Sequence, residues 1–237
     1  MLYLIGLGLD LKDISLKALE ALKKCDKIYL EIYTTFLPYK KTELEKVIGK
    51  KVAIAVRETV ENNSREFVKE ARKRDIALLV YGDPLAATTH ILLLQEAKKL
   101  KVSVKVLHNS SVFSAITETG LQLYKFGKTS SIPKWHKSYK PTSFFDVVKE
   151  NLKINAHTLL LVDIDLSFNE ALRELDKASK GMIDNIIVCS RLGTDEQYII
   201  YSRMKELLKR APKVKEPFCF IIPATLHFTE AEFLELF

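Results

Sequence analysis

Residues 75–84 read DIALLVYGDP, an apolar run that stops abruptly at Gly82. A run of this length bounded by a glycine turn is typical of a strand buried on both faces of a parallel sheet. The chain opens with a similar run, Leu2–Ile5, which also ends in glycines, and a third run spans Asn185–Ser190. Because ligands bind outside the carboxyl ends of strands in open α/β sheets, the turns after these three runs are candidate binding loops.

Strand-like runs and helical patterns alternate outward from this stretch. The segment Asp13-Ile14-Ser15 is typical of a helix start, and Leu16, Leu19 and Leu22 have the spacing of one inner helix face. Such alternation predicts an α/β domain with a largely parallel sheet, followed by a second α/β unit. A connecting helix is predicted over residues 110–123.

The chain therefore divides into two predicted domains, with the passage between them near residues 108–125. We predict an N-terminal α/β domain at residues 1–110 and a C-terminal α/β domain at residues 111–237, each with a sheet flanked by helices.

The composition is that of a globular protein: of 237 residues, 47% are hydrophobic and 28% are charged. The three cysteines are far apart and form no C-x-x-C pair, which predicts buried thiols in a reducing, cytoplasmic compartment. No segment has the roughly 18 apolar residues of a membrane span. The first residues lack the basic region of a signal peptide, so no membrane association is expected.

The net charge of +7 is open to two interpretations. It is compatible with a nucleic acid or an acidic protein as partner. It is also compatible with a lysine-rich solvated surface, and this second interpretation is favoured because no run of four basic residues occurs.

Two glycine motifs resemble nucleotide-binding loops but lack essential positions. Gly6-Leu7-Gly8 has Leu11 where a dinucleotide fingerprint requires a third glycine, so a tight turn explains it equally well. Gly127-Lys128-Thr129 has Gln122 where a P-loop requires glycine. Neither motif predicts nucleotide binding.

Gly82-Asp83-Pro84 is more informative because it follows a predicted buried strand. The Asp83 carboxylate could accept hydrogen bonds from an amine or a ribose of a bound ligand. Asp-Pro also favours a plain turn between strand and helix, and the residues alone leave both interpretations open.

No metal site or hydrolase motif is expected. The five histidines lack a metal-binding spacing, and each is interpreted as a surface or packing residue. Asp163 and Asp165 could bind a divalent ion at a strand end, but a solvated strand terminus is favoured. No G-x-S-x-G motif occurs.

Several segments in this order resemble the archaeal diphthine synthases, a branch of the tetrapyrrole methylase-like family. The loop around GDP is shared across the wider family, whereas the run from ATTH to PTSFFDVVKEN narrows the match. The matching segments are MLYLIGLGL (1–9), YGDPLAATTH (81–90), NSSVFSAI (109–116), GLQLYKFGK (120–128), PTSFFDVVKENL (141–152), HTLLLVDI (157–164) and IIPATLHFTEAEFL (221–234).

This resemblance implies two α/β domains with mixed sheets, S-adenosylmethionine in the cleft between them, and a homodimer. It implies N-methylation of the amino group of a 3-amino-3-carboxypropyl chain on a histidine of translation elongation factor 2. Nucleic acid is not an expected partner. No catalytic residue is assigned. A nearby carboxylate or water could take the proton of the amine, and Asp83 is one conceivable group, but the role that the resemblance implies for Asp83 is to hold the cofactor. The cofactor contacts implied by matching motif are Leu9, Asp83, Ala86, Ser111, Val112, Val162, Leu192 and Phe218.

Two alternatives remain at this stage. One is a methyltransferase of the same fold that acts on a corrin or porphyrin precursor or on ribosomal RNA. The other is a non-catalytic nucleotide-binding protein that acts only as a partner.

Overall fold

The computed structural model describes residues 1–237, which form two compact units, Met1–Ser114 and Ala115–Phe237. Each unit contains a five-stranded sheet flanked by helices, so the predicted α/β fold with two sheets is confirmed. No helix has the length and apolar character needed to cross a lipid bilayer.

The first unit alternates strands and helices almost regularly. Short turns of 3₁₀ helix at Leu11–Asp13 and of π-helix at Glu58–Asn62 lie between the main elements. The main elements are β1 (Leu2–Gly6), α1 (Leu16–Lys24), β2 (Lys27–Glu31), α2 (Lys41–Ile48), β3 (Ala53–Ala55), α3 (Ser64–Glu70), β4 (Ile76–Val80), α4 (Ile91–Leu100), β5 (Val104–Leu107) and the start of α5 (Val112–Ala115).

The first sheet is parallel throughout, in the order β3-β2-β4-β1-β5. Alternate side chains of its strands enter two separate cores. Ile5 and Leu79 belong to the core that includes α1 and α2, whereas Leu4 and Leu78 belong to the core that includes α3 and α4. Burial on both faces explains why β1 and β4 are continuous apolar runs with no exposed residue.

Helix α1 begins where the sequence indicates, but it buries a different face. The Ser15 hydroxyl accepts a hydrogen bond from the backbone N–H of Ala18 at 3.1 Å and so caps the helix. This places Leu16 at the first helical position, where its side chain is 80% exposed. The buried stripe is Ala18, Ala21 and Leu22, so the predicted inner position of Leu16 is wrong.

The second unit has five strands and its own helices. Short 3₁₀ turns at Ile116–Thr119 and Leu123–Lys125 precede its sheet. The elements are β6 (Ser130–Ile132), α6 (Ser143–Lys153), β7 (Thr158–Val162), α7 (Phe168–Ser179), β8 (Asn185–Ser190), β9 (Tyr198–Arg203), α8 (Met204–Arg210), β10 (Phe218–Ile222) and α9 (Phe228–Leu234).

The second sheet is mixed, in the order β6-β7-β10-β8-β9. Only β6 and β7 are parallel, and the other neighbours are antiparallel. The expectation of mixed sheets therefore describes the second unit, while the first sheet is purely parallel. One face of the second sheet packs on α6, α7 and α8 through a core that includes Phe145, Leu175 and Phe220.

The connecting helix predicted over residues 110–123 is wrong. Helix α5 has four residues. The 3₁₀ turn that follows it, Ile116–Thr119, is ended by Gly120. Gly120 has φ +79°, a left-handed conformation that ends the helical path. A Cβ atom at this position would lie 2.3 Å from the Phe233 ring, so the close packing of α9 also requires glycine here.

Candidate active site

The carboxyl edge of the first sheet, where its parallel strands end, is formed by residues 6–10, 81–90 and 108–112. Strands β1 and β4 are neighbours, but the chain leaves β1 toward the α1 face and leaves β4 toward the α4 face. Neighbouring strands whose connections leave on opposite faces open a crevice between them, and ligands of open α/β sheets bind in such crevices. This edge is therefore the candidate ligand site of the first unit.

The glycines of this edge allow two loops to approach closely. Gly82 donates a backbone hydrogen bond to the carbonyl of Gly8 at 2.8 Å, and Gly8 donates to Gly82 at 3.2 Å. A Cβ atom on Gly8, which has φ +76°, would lie 2.3 Å from Cβ of Asp13, and one on Gly6 would lie 2.6 Å from the Gly82 carbonyl oxygen. The Gly-x-Gly motif is thus a close-packed turn, as one of the two interpretations held.

Asp83 joins the loop after β4 to the loop after β5. Its Oδ1 accepts a hydrogen bond from the backbone N–H of Leu85 at 2.9 Å. Its Oδ2 lies 2.7 Å from His108 Nδ1 and accepts from the Asn109 N–H at 3.2 Å. A carboxylate has about four acceptor positions, so one of them is not used by these contacts. Asp83 therefore organises the turn and keeps an acceptor free at the same time.

Asn109 completes this edge and was not assigned a role from sequence. Its side-chain amide donates to the carbonyls of Gly6 at 3.2 Å and of Asp13 at 2.9 Å. The residue thus ties the third loop to both ends of the first loop. A signal for it was present in the sequence, because Asn109 closely follows the strand-like run VSVKVL of residues 102–107.

The structure brings the five first-unit contacts implied by resemblance to this one edge. Leu9 is 5% exposed, its N–H donates to Asp13 Oδ2 at 2.8 Å, and its carbonyl accepts from the Tyr81 hydroxyl at 3.0 Å. The remaining three are partly exposed, on the loop after β4 and at the start of α5; they are Ala86, Ser111 and Val112.

The three second-unit residues also meet at one edge of their sheet. Phe218, the first residue of β10, pairs with Ser190, the last residue of β8, and Leu192 follows two residues later. Val162 is the last residue of β7, and the pairing of Phe220 with Leu160 places it beside Phe218. Their proximity within the unit supports a shared role, and their contact with cofactor stays a prediction.

The turn that carries Leu192 has an unusual backbone. Arg191 has φ +51° and Gly193 has φ +77°, so left-handed residues flank Leu192 on both sides. The Arg191 guanidinium donates through Nε to the Glu216 carbonyl at 2.8 Å, which holds the turn against the segment before β10. Leu192 itself is 6% exposed.

A polar cluster that sequence reasoning missed lies at the same edge of the first unit. His90 is 1% exposed, with Nδ1 3.0 Å from the Pro84 carbonyl and Nε2 3.2 Å from the Tyr33 hydroxyl. Since a carbonyl only accepts, Nδ1 carries a proton and donates to Pro84, while Nε2 faces the Tyr33 hydroxyl at hydrogen-bond distance. The interpretation of His90 as a packing residue omitted this role in holding the loop after β4.

The second unit contains a different carboxylate network, centred on Glu230 of α9. Glu230 is fully buried and accepts from the N–H groups of Gln122 at 2.9 Å and His227 at 2.8 Å. It also pairs with Lys125 and lies 3.3 Å from buried His157 Nε2. Burial alone would raise the pKa of Glu230, but the hydrogen bonds, led by that from Lys125, lower it to about 2.

His157 is held in a defined tautomer within this network. Its Nδ1 accepts from the Ala224 N–H at 3.0 Å, so Nε2 carries the proton and donates to Glu230. Burial lowers the pKa of His157, and its Glu230 partner opposes that shift. The network ties α9 to the start of β7 and is structural.

The remaining candidate sites do not assemble. No group of three His, Cys, Asp or Glu side chains is placed to hold a metal ion, and Asp163 instead accepts from the Lys134 N–H at 3.4 Å. In Gly127-Lys128-Thr129, the Lys128 N–H donates to Asn151 Oδ1 at 3.0 Å and the Lys128 ammonium pairs with Glu150 at 2.9 Å. That segment is a structural turn rather than a phosphate loop.

Comparison with known proteins extends over the whole chain. Residues 1–208 match the family described as Tetrapyrrole (Corrin/Porphyrin) Methylases. The chain is 38% identical to diphthine methyl ester synthase of Schizosaccharomyces pombe, covering 100% of this chain and 94% of that protein. It is 41% identical to diphthine synthase of Methanocaldococcus jannaschii, covering 99% and 98%. A crystal structure of diphthine synthase matches with a TM-score of 0.92 at 34% identity, covering 100% and 96%.

Proposed function

Because this chain belongs to the family of tetrapyrrole (corrin/porphyrin) methylases, we propose that it uses S-adenosylmethionine to methylate translation elongation factor 2. It is a methyltransferase of diphthamide biosynthesis, as full-length similarity to archaeal and eukaryotic diphthine synthases shows. That similarity carries the proposal. It also disfavours the corrin, porphyrin and ribosomal RNA alternatives, and the non-catalytic one.

The residues at the carboxyl edge of the first unit are compatible with a ligand that has both a ribose and a flat aromatic ring. Gly82 has φ +74°, a conformation that favours glycine. A Cβ atom at this position would meet nothing nearer than 3.6 Å, so no protein atom crowds the backbone on that side. Leu9 and Val112 offer apolar side chains, and Asp83 keeps one acceptor position for a hydroxyl or an amine. We propose as cofactor contacts Leu9, Asp83, Ala86, Ser111 and Val112 in the first unit and Val162, Leu192 and Phe218 in the second.

The reaction makes modest demands on the protein. When bound, S-adenosylmethionine supplies a methyl group on a positively charged sulfur, which a neutral amine attacks directly. The residues of this chain then need to align the amine and to exclude water. No general base is assigned, because the Asp83 carboxylate already accepts three hydrogen bonds and its remaining acceptor position is proposed to hold the cofactor. The proton of each methylated amine is therefore proposed to leave to water.

The proposed substrate is the amino group of a 3-amino-3-carboxypropyl chain on a histidine of elongation factor 2. We further propose that the protein works in the cytoplasm as a homodimer and without nucleic acid. Its three cysteines are all free and buried, which is compatible with a reducing compartment.

Mass spectrometry of elongation factor 2 tests this function. The factor is incubated with the protein and S-adenosylmethionine, both unmodified and carrying the aminocarboxypropyl-histidine. Methyl gains on the modified form only are the expected result. No gain on either form, with cofactor binding intact, would exclude elongation factor 2 as substrate.

The same spectra count the methyl groups and separate two products. A primary amine accepts at most three methyl groups, and the third makes it quaternary. A fourth, lost on mild alkaline treatment, would identify a methyl ester, the product named for the Schizosaccharomyces pombe relative.

A pair of matched variants tests the cofactor contacts. Asp83→Asn should abolish most methyl transfer, whereas Asp184→Asn, an exposed carboxylate before β8, should leave it intact. Equal activity of both variants would contradict the role proposed for Asp83.

A further inference from the structure

Five residues form a cluster at the carboxyl ends of β2 and β3, next to the loop after β4. The cluster, called here the Tyr33 site, consists of Glu31, Tyr33, Arg57, Glu61 and His90. It shares the loop of residues 82–90 with the cofactor contacts proposed above but includes none of them. It therefore lies at the ligand-binding edge without an assigned ligand.

The Tyr33 ring already receives a cation in this structure. The guanidinium carbon of Arg57 lies 5.4 Å from the ring centroid. The Arg57 side chain is 63% exposed, and its nearest carboxylate contact, with Glu61, is long at 3.8 Å. A loosely held cation on an aromatic face marks a position that another cation can occupy.

The field at this position favours positive charge. Glu31 is 3% exposed and forms no ion pair; it accepts from the N–H groups of Tyr33 at 2.7 Å and Thr34 at 2.6 Å and from the Thr34 hydroxyl. Burial raises the pKa of the Tyr33 phenol, and the charges of Glu31 and Glu61 raise it further. Two carboxylates thus act on the ring against one mostly exposed guanidinium.

The ring is also held in place. The Tyr33 hydroxyl is hydrogen-bonded to His90 Nε2 at 3.2 Å, and His90 Nδ1 is anchored to the Pro84 carbonyl. Thr89, next to His90, donates to Glu61 at 2.6 Å. The aromatic face is therefore pre-organised on the loop that also carries Asp83 and Ala86.

We propose that the Tyr33 ring receives the methylated ammonium group of the substrate, in place of Arg57. This assignment rests on the function proposed above. Each methyl transfer leaves positive charge on the substrate nitrogen and makes it bulkier and more weakly hydrated. Aromatic faces beside carboxylates recognise this class of cation. Tyr33 is accordingly a specificity-determining residue for the later methylation steps.

Binding of tetramethylammonium chloride is the direct test. The protein is labelled with ¹³C in its tyrosine rings, and the Tyr33 signal is identified from Tyr33→Phe. Tyr29 is an internal control, because it lies on β2, four residues before Tyr33, and carries the Lys27 ammonium 4.5 Å from its ring. A saturable shift at Tyr33 alone, not reproduced by sodium chloride, is expected. Equal shifts at both rings, or none, would overturn the assignment.

Arg57→Gln separates cation recognition from a purely structural role. Removal of the resident cation should tighten tetramethylammonium binding several-fold, since the ligand no longer displaces it. Unchanged or weaker binding would contradict the proposal. This variant alters a mostly exposed side chain and keeps the ring, so the test does not depend on a disruptive core change.

The catalytic test uses the ring itself. Tyr33→Leu should reduce kcat/KM for already monomethylated substrate about 10-fold, while Tyr33→Phe, which keeps the ring, should stay within about threefold. Cofactor affinity should not change in either variant, and unmethylated substrate should be less affected. Equal losses on all substrates, or equal losses in both variants, would count against the assignment. Absence of activity in the unaltered protein would refute the proposed function instead, and the binding test would still decide the role of Tyr33.

Discussion

Two carboxylates, one in each unit, both hold separate segments of the chain together, but they differ in burial and in the number of their hydrogen-bond partners. Asp83 connects two loops at the edge of the first sheet, and its side chain is 12% exposed. Glu230 connects α9 to the segment before β6 and to β7, and it is fully buried. Glu230 accepts hydrogen bonds or pairs with four groups, whereas Asp83 has three partners. A saturated carboxylate stabilises a fold, and one with an acceptor to spare is also available to a ligand.

The largest effect should follow loss of the saturated carboxylate. Glu230→Ala leaves Lys125 and buried His157 without their partner, and it should lower the free energy of unfolding by about 3–4 kcal/mol. Urea denaturation measures this, with exposed Glu232→Ala on the same helix as control. A loss below about 1 kcal/mol would show that the network contributes little to stability.

The dependence of stability on pH should also show the contribution of Glu230. The pKa of Glu230 is about 2 in the folded chain and 4.5 at its ordinary value. The unfolded chain therefore binds more protons between these values, so the contribution is present above about pH 4.5 and is lost as pH falls toward 2. Denaturation midpoints between pH 6 and 2.5 should fall less steeply for Glu230→Gln than for the unaltered protein. Parallel profiles would contradict the assigned pKa.

Glycines at the carboxyl edge test how closely its loops must pack. Gly8→Ala places a Cβ atom on a left-handed backbone, 2.3 Å from Cβ of Asp13. We expect this change to lower the free energy of unfolding by about 2–3 kcal/mol. Gly49 also has a positive φ, but nothing lies within 4 Å of its Cβ position. Gly49→Ala should therefore lose only about 1 kcal/mol. Equal thermal shifts in both variants would mean that steric contact at Gly8 is unimportant.

A small effect on stability is expected at Asp83. Asp83→Asn keeps one carbonyl acceptor and should lower the free energy of unfolding by about 1 kcal/mol. The same change should weaken S-adenosylhomocysteine binding at least 10-fold, measured by calorimetry, because the spare acceptor and its charge are lost. A variant that is strongly destabilised but binds normally would reverse the distinction between Asp83 and Glu230.

Element type was largely predictable from local sequence, whereas burial faces and connections were not. The runs that form β1 and β4 are apolar throughout, and burial on both faces of a parallel sheet requires that pattern. Leu16 shows the limit, because a leucine at helical spacing carries no information on which stripe meets the sheet. The connecting segment failed for a tertiary reason: Gly120 ends it where the Phe233 ring packs, and that contact is more than a hundred residues away in sequence.

The candidate site also has one feature that local sequence indicated and others that it could not indicate. The Asp83 turn was visible because a glycine and a carboxylate directly follow a buried run. Its partners His108 and Asn109, and the pairing of Tyr33 with His90, join positions 25 to 57 residues apart. Such pairs have no local spacing, so no motif could indicate them.

By itself the sequence determined the two α/β units, the glycine turns after the first and fourth strands, and the resemblance that leads to diphthamide biosynthesis. These depend on local periodicity and on contiguous motifs. Only the tertiary structure decided which carboxylate is saturated and which keeps an acceptor, and it alone placed Arg57 over the Tyr33 ring. The reason is physical: hydrogen-bond saturation and electric field depend on groups that the fold brings together from distant parts of the chain.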